Sequence, residues 1–200
     1  MTKRAPRQTQ RERSAATTEK VLEVAEKHFA ELGYAAVSTD ALVQEVGLTR
    51  GALYHHFGNK QGLFEAVVER LQKRVGEAIE RETAAVDDGW QRFLAGCSAW
   101  LDAVTDRAAL QILLVDTPAV LGWERWLAFD AQHGSRLLRE GIEELAAEGV
   151  LEVSSKDALL HLLNGAMNQG ALWVAQSPQP ERTLEEVKEV LERVLEGLKM

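Results

Sequence analysis

The chain has 200 residues, of which 46% are hydrophobic, and a formal net charge of −8; that is enough apolar material for a small head and one larger core, so a globular protein is expected. The single cysteine, Cys97, excludes an intramolecular disulfide and any multi-cysteine zinc or iron–sulfur site, and its expected role is that of a small buried apolar residue. No apolar run approaches the roughly 20 residues of a membrane span, and residues 1–13 are polar and basic, unlike the apolar stretch of a signal peptide, so the cytoplasm is the expected location.

Taken in chain order, residues 1–13 carry five basic residues and no apolar periodicity, and are expected to form a disordered basic arm. A first helix over about residues 17–32 places Val21, Leu22, Ala25, Phe29 and Leu32 on one face. Residues 38–60 then read as two short helices joined by a tight turn. Thr39 is placed to cap the first, whose inward residues are Leu42, Val43 and Val46. Gly47 supplies the turn, Leu48 plugs the corner, and Thr49 caps the second helix. That helix, over residues 50–56, shows Leu53 and Phe57 to the core and Arg50, Tyr54 and His55 to the outside, with His56 expected to pack. The arrangement is a helix-turn-helix, whose outward side chains can reach base edges and phosphates, so double-stranded DNA is the expected partner. The arm then has an alternative role in contacting phosphates or the minor groove.

Net charge divides unevenly along the chain. Residues 1–60 carry nine Lys and Arg against seven Asp and Glu, a net +2, while residues 61–200 carry fourteen against twenty-four, a net −10. Such an asymmetry turns the head toward phosphates and keeps the body away from them.

Gly47-Leu48-Thr49-Arg50-Gly51-Ala52-Leu53-Tyr54-His55-His56-Phe57-Gly58-Asn59-Lys60-Gln61-Gly62-Leu63-Phe64 resembles the signature of TetR-family transcriptional regulators, and Phe29-Ala30-Glu31-Leu32-Gly33-Tyr34 matches that family's end of the first helix. The match is dense over residues 17–68 and architectural beyond. Val43 departs from it, since the family more often has alanine there, and a valine would space the two short helices slightly wider. The resemblance implies that Thr39, Thr49, Arg50, Gly51, Tyr54, His55 and Lys60 hold an operator. It also implies that a small-molecule effector releases the protein from that operator, that the default action is repression, and that the following long helix links the two events.

Asn59 is a good cap for that helix, along which Leu63, Val67, Leu71, Val75 and Ile79 recur every four residues, and its N-terminal amides with Lys60 can bind a phosphate. Asp87, Asp88 and Gly89 break the pattern before an amphipathic helix bearing Trp90, Phe93, Leu94, Cys97, Trp100, Leu101 and Val104. A short helix over 108–115 is expected to end near Pro118, and one long helix over about 120–148 to be stopped by Gly149. Ser154, Ser155 and Asp157 open a helix reaching about Gln176, and Thr183 with Glu186 forms a capping box for the last one. With no convincing period-two alternation, the expected fold is all-α with about nine helices: the arm at 1–13, a three-helix DNA-binding head at 14–62, and a larger ligand-binding and dimerisation domain at 63–200.

The last two helices carry more apolar surface than an edge hairpin needs, so Leu163, Met167, Gly170, Leu184, Val187, Leu191, Val194 and Leu195 are candidate dimer contacts in a four-helix interface. Two-fold pairing also supplies the two recognition helices that a palindromic operator requires. Trp100, Trp123, Trp126, Phe129, His133, Asn164, Asn168 and Trp173 are candidate walls of a pocket for an apolar or aromatic effector; the same aromatics could simply fill the core. No metal or cofactor is expected: His55 and His56 diverge by about 100° on a helix, and Asp116, Glu124, His133 and His161 have no ligating partner at the required spacing. No nucleophile elbow, phosphate loop or dinucleotide fingerprint suggests an enzyme. Two other readings stand beside the ligand-responsive one, a regulator with no effector, controlled by abundance or a protein partner, and a helical enzyme or carrier with a vestigial head. A cavity in the body, as against a filled core, separates the first of these, and sequence-dependent DNA binding the second.

Overall fold

The computed structural model describes residues 10–132 and 134–199, with residues 10–14 described by backbone alone. The chain divides into two units, a head up to Val67 and a body from Val68 onward. Among the described residues the secondary structure is helical, apart from one isolated antiparallel bridge between Leu151 and Lys199, and no helix is long and apolar enough to cross a membrane.

The head contains α1 (Gln10–Ala36), α2 (Thr39–Val46), α3 (Arg50–Phe57) and the first two turns of α4 (Lys60–Thr83). Residues 10–13, expected as part of an arm, belong to α1, and the rest of the arm lies outside the described residues. Val21, Leu22, Ala25 and Phe29 are buried as expected, but Leu32 is exposed. The reason is Gly33, whose φ of 73° breaks α1, so that Tyr34 and not Leu32 closes over the core. Its ring stacks on Phe29 at 5.8 Å and meets Phe64 of α4 at 5.0 Å, while Phe29 meets Phe64 edge-on at 5.1 Å. Leu42, Val43, Val46 and Leu53 complete the core, so the valine at position 43 is accommodated.

Two further bonds tie α1 to α2. His28 Nε2 lies 2.7 Å from Glu45 Oε2, and Lys20 Nζ reaches the carbonyl of Val46 at 3.5 Å, where a cation suits the open carbonyls of a helix end. Asn59 caps α4 as expected, its Oδ1 accepting from the Gly62 amide at 2.9 Å. The residue so held has no room to grow, because a Cβ at Gly62 would run into the carbonyl oxygen of Phe57.

The body adds α5 (Gly89–Val104), α6 (Arg107–Ala109), a π-helix (Leu110–Asp116), α7 (Thr117–Leu121), α8 (Trp123–Gln132), α9 (Gly134–Ala147), α10 (Lys156–Gln176) and α11 (Pro180–Glu196). Helix α5 packs against α9, α10 and α11; α10 packs against α9, α11 and the π-helix. Leu71, Val75, Trp90, Leu101, Ile112, Ile142, Leu145, Leu163, Ala171 and Leu195 are among the residues buried there.

Three sequence expectations change. The short helix at 108–115 becomes α6 and the π-helix, and the chain stays helical through Pro118. Proline cannot donate to the carbonyl four residues back, here that of Leu114; just before it the wider turn is closed by Thr117, whose backbone N–H and hydroxyl both donate to the Ile112 carbonyl, the hydroxyl at 2.5 Å. The single long helix at 120–148 is divided: Gly122, with φ 81° and ψ 161°, separates α7 from α8, and the remainder forms α8 and α9. Finally, α11 starts three residues before the expected capping box: Pro180 opens it, its missing N–H costing nothing at the first helical position. Thr183 therefore lies inside the helix, bonded to Ser177 Oγ at 2.6 Å, and Glu186 pairs with Arg182.

Gly62→Ala should destabilise the head by roughly 1–3 kcal/mol, the usual cost of overpacking. Gly51→Ala should leave stability unchanged or raise it by up to about 1 kcal/mol, since alanine is the better helix former and the nearest atom to its Cβ would be Thr49 Oγ1 at 4.0 Å. Urea unfolding of the two variants checks both signs.

Candidate nucleic-acid interface and body cavity

The turn between α2 and α3 forms as its residues require. Gly47 takes φ 79°, ψ 32°, and its amide and that of Leu48 return to the carbonyl of Val43. The caps are Ser38 for α2, whose hydroxyl accepts from the Ala41 amide at 3.4 Å, and Thr49 for α3, accepting from Ala52 at 3.2 Å. Thr39 was expected as the first cap; it is instead the first residue of α2, and its side chain is buried under α3. There its hydroxyl accepts from Arg50 Nη2 at 3.2 Å and lies 3.4 Å from the Tyr54 hydroxyl.

The structure thus joins Thr39, Arg50 and Tyr54 in one hydrogen-bonded group. Arg50 is exposed, and its Nε also lies 3.2 Å from Asp40 Oδ1. His55 is exposed, and so is His56, which does not pack inward as expected but meets the His55 ring edge-on at 5.7 Å. Gly51 is exposed, and a Cβ there would meet only Thr49 Oγ1, at 4.0 Å. Lys60 is drawn back from this group: its Nζ sits 4.6 Å from the Tyr34 ring centre and 3.4 Å from the Ala35 carbonyl. Partial burial pulls its pKa below the usual lysine value, against a smaller opposing effect of Tyr54. Asp40 escaped sequence reasoning, since a contact ten residues away across a turn has no periodic signal.

Within the body, a cavity of about 200 Å³ is bounded by Ile79 and Thr83 of α4, Arg92, Phe93, Cys97 and Trp100 of α5, Leu137, Leu138, Glu140 and Glu144 of α9, and Asn164 and Met167 of α10. Three glycines, Gly89, Gly96 and Gly141, also line it. Gly141 is required for packing as well, since a Cβ there would lie 2.6 Å from Phe93 Cδ2. The polar wall groups are engaged with the protein. Arg92 bonds Glu144 at 2.5 Å and the carbonyls of Val86 and Asp87, and Asn164 Nδ2 donates to Asp130 at 2.7 Å and Ser135 at 3.1 Å. Burial pushes the Cys97 thiol pKa up to about 12, so the thiol is neutral at physiological pH.

Of the candidate pocket residues, Trp100 and Asn164 line this cavity. Trp123, Trp126, Phe129, Asn168 and Trp173 do not, and His133 lies outside the described residues. The wall that the expected long helix was to supply comes from its second half, α9, and α8 does not line the cavity. Trp126 is buried elsewhere, its indole N–H donating to the Leu113 carbonyl at 3.1 Å, and the exposed Trp123 lies over it at 4.6 Å. Phe129 is half-buried, and Asn168 Nδ2 donates to Asn164 Oδ1 at 3.3 Å.

The candidate dimer residues also separate. Leu163, Met167 and Leu195 are buried inside the body, and Leu184, Val187 and Leu191 are half-buried. Gly170 lets α11 approach within the same chain, a Cβ there falling 2.9 Å from Val187 Cγ1. Val194 is 55% exposed, and three residues not among the dimer candidates are exposed too: Leu162 at 73%, Val190 at 60%, and Trp173, expected in the pocket, at 53%. Among the described residues no three His, Cys, Asp or Glu side chains gather to hold a metal.

Two family models match the chain, "Bacterial regulatory proteins, tetR family" over residues 21–67 and "Tetracyclin repressor-like, C-terminal domain" over residues 90–198. A TetR-family transcriptional regulator from Pectobacterium atrosepticum has a similar structure, with a TM-score of 0.77 and 32% identity, over 96% of this chain and 98% of that one. The transposon Tn10 TetC protein of Escherichia coli is 27% identical over 78% of this chain and 79% of its own length. The HTH-type transcriptional repressor Rv1474c of Mycobacterium tuberculosis is 37% identical over 68 residues, 34% of this chain and 36% of its own. With a helix-turn-helix head and a helical body that both match, the chain belongs to the TetR family of DNA-binding transcriptional regulators.

Proposed function

We propose that the protein is a homodimeric cytoplasmic repressor that leaves a palindromic operator when its body binds a compact, neutral, largely aromatic effector. The observation that carries this reading is the occurrence, in one chain, of an exposed Arg50 on α3 joined to Tyr54 through Thr39 and a body cavity walled by Phe93, Trp100, Leu137, Leu138 and Met167 as well as by polar side chains. The cavity favours an effector over the effector-free alternative. Its aromatic and aliphatic lining suits an apolar body, and because Arg92 is already bonded to Glu144 and two carbonyls, an ionised ligand would have to displace existing partners. Helix α4 contributes Leu63 and Phe64 to the head core and Ile79 and Thr83 to the cavity wall, so an occupant that shifts its C-terminal half acts on the helix that carries the head. Repression as the default is supported by relatives named as repressors.

Arg50, Tyr54 and His55 are the proposed base and phosphate contacts, with Thr39 and Thr49 positioning them and Gly51 admitting the DNA backbone. Lys60 would reach a phosphate only by leaving Tyr34. Dimerisation is assigned to Leu162 and Trp173 of α10 with Val190 and Val194 of α11, large apolar side chains that are costly to leave in water as a group. The paired hairpins would form a four-helix interface.

Outcomes are expected for the interface, the dimer and the cavity. Tyr54→Ala should weaken binding to a selected operator by roughly 1–3 kcal/mol, or less if only a phosphate is lost. Gly51→Ala should weaken it without loss of stability; gel-shift titration measures both, and parental affinity in both would refute the α3 assignment. Paired Val190→Glu and Val194→Glu changes should give a soluble monomer by sedimentation, because a buried unpaired charge costs several kcal/mol, whereas a dimer would move the interface elsewhere. A neutral aromatic compound that quenches Trp100 should lower operator affinity in the same titration, and operator must lower affinity for that compound by the same factor. Gly96→Ala, whose Cβ would meet Ile79 and Thr83 at an ordinary 3.7 Å, should weaken that compound's binding while leaving operator affinity intact.

A further inference from the structure

We propose that Asp40 is a positioning residue for sequence reading, holding the Arg50 guanidinium so that its outer edge addresses one guanine in each operator half-site. This rests on the operator-binding reading above and adds to it a residue outside the recognition helix. Arg50 Nη2 donates to Thr39 Oγ1 at 3.2 Å, and Nε forms an ion pair with Asp40, 3.2 Å from its Oδ1. The two nitrogens engaged, Nε and Nη2, share one edge of the planar guanidinium. The opposite edge, formed by Nη1 and the outer hydrogen of Nη2, is left with two parallel donors, the geometry that matches O6 and N7 of guanine in the major groove. An arginine held at two points has less rotamer freedom to lose on contact, and a defined direction in which to make it.

The rest of the cluster follows from what arginine can do. A guanidinium only donates, so the Thr39 oxygen is the acceptor in its bond to Arg50. The Thr39 hydroxyl hydrogen can donate to the Tyr54 oxygen, 3.4 Å away, and in that arrangement the Tyr54 O–H can donate outward to DNA.

Stability gives Asp40 little reason to be there. Its ion pair with Arg50 is exposed, with side chains 70% and 57% accessible, and such pairs add little to folding. A carboxylate beside a phosphate-binding surface also opposes non-specific DNA binding. An acid in the first turn of α2 does suit the helix dipole. A residue serving only that purpose would alter melting and leave base preference untouched.

The test uses the full chain. Duplexes are enriched from a random library with the parent protein, and anisotropy titrations then follow every single-base-pair variant of the enriched duplex with the parent, Asp40→Ala, Asp40→Asn and Arg50→Lys. The expected result is a guanine preference at one pair per half-site that falls roughly tenfold in both Asp40→Ala and Arg50→Lys, at the same pair and nowhere else. Asp40→Asn, which keeps an acceptor oxygen, should retain part of the preference, and Asp40→Ala should bind scrambled duplex more tightly while melting like the parent. The proposal is overturned if Asp40→Ala keeps the guanine preference. Loss at a different pair from Arg50→Lys overturns it too, since Asp40 would then read a base itself. Enrichment of no sequence by the parent would instead remove the operator reading, and this inference with it.

Discussion

Phe64 meets Phe29 at 5.1 Å and Tyr34 at 5.0 Å, and this cluster fixes the start of α4 against the end of α1. The rest of the head depends on it. Gly33 must break α1 to turn Tyr34 inward, and Asn59 must cap α4 so that Phe64 arrives at the right height. Gly62 must lack a side chain so that α4 can start under the last carbonyl of α3. Aromatic rings stacked edge to face are stiff and bury large areas, so the small helices α2 and α3 gain a rigid platform that their own few contacts could not provide.

On that platform the polar residues of the interface form a connected set. Thr39, Asp40, Arg50 and Tyr54 come from two helices and meet through hydrogen bonds of 3.2 and 3.4 Å and an ion pair of 3.2 Å. The exposed ends of such a set can be pre-aimed, because the inner ends are held. Lys60 shows the opposite disposition: folded over Tyr34, it supports the platform in the structure described here.

The body achieves an interior space by a different device. Gly89, Gly96 and Gly141 are placed on helices where glycine is costly to helix stability, and each removes a side chain from the cavity wall. Phe93 lies so close to Gly141 that the pair acts as a single fitted surface. The polar groups around the space are satisfied by Glu144, Asp130, Ser135 and backbone carbonyls, so the cavity can be largely apolar without stranding buried donors.

The sequence by itself determined what is local. The turn glycine, the Thr49 and Asn59 caps, the apolar stripe of α4 and the opening of α10 all depend on residues within a few positions of one another, so their chemistry was legible, and with them the helix-turn-helix and the all-helical body. The tertiary structure decided what depends on distant neighbours. Trp126 became a brace for the π-helix and not a pocket wall, because α9 and not α8 lines the cavity. Leu163, Met167 and Leu195 went into the core while Leu162, Val190 and Val194 stayed outside, since an apolar stripe on a helix is wider than any one neighbour covers and only packing selects which part is left open. Asp40 met Arg50 for the same reason: periodicity places a residue on a face, and the partner across the turn is set by how two helices cross.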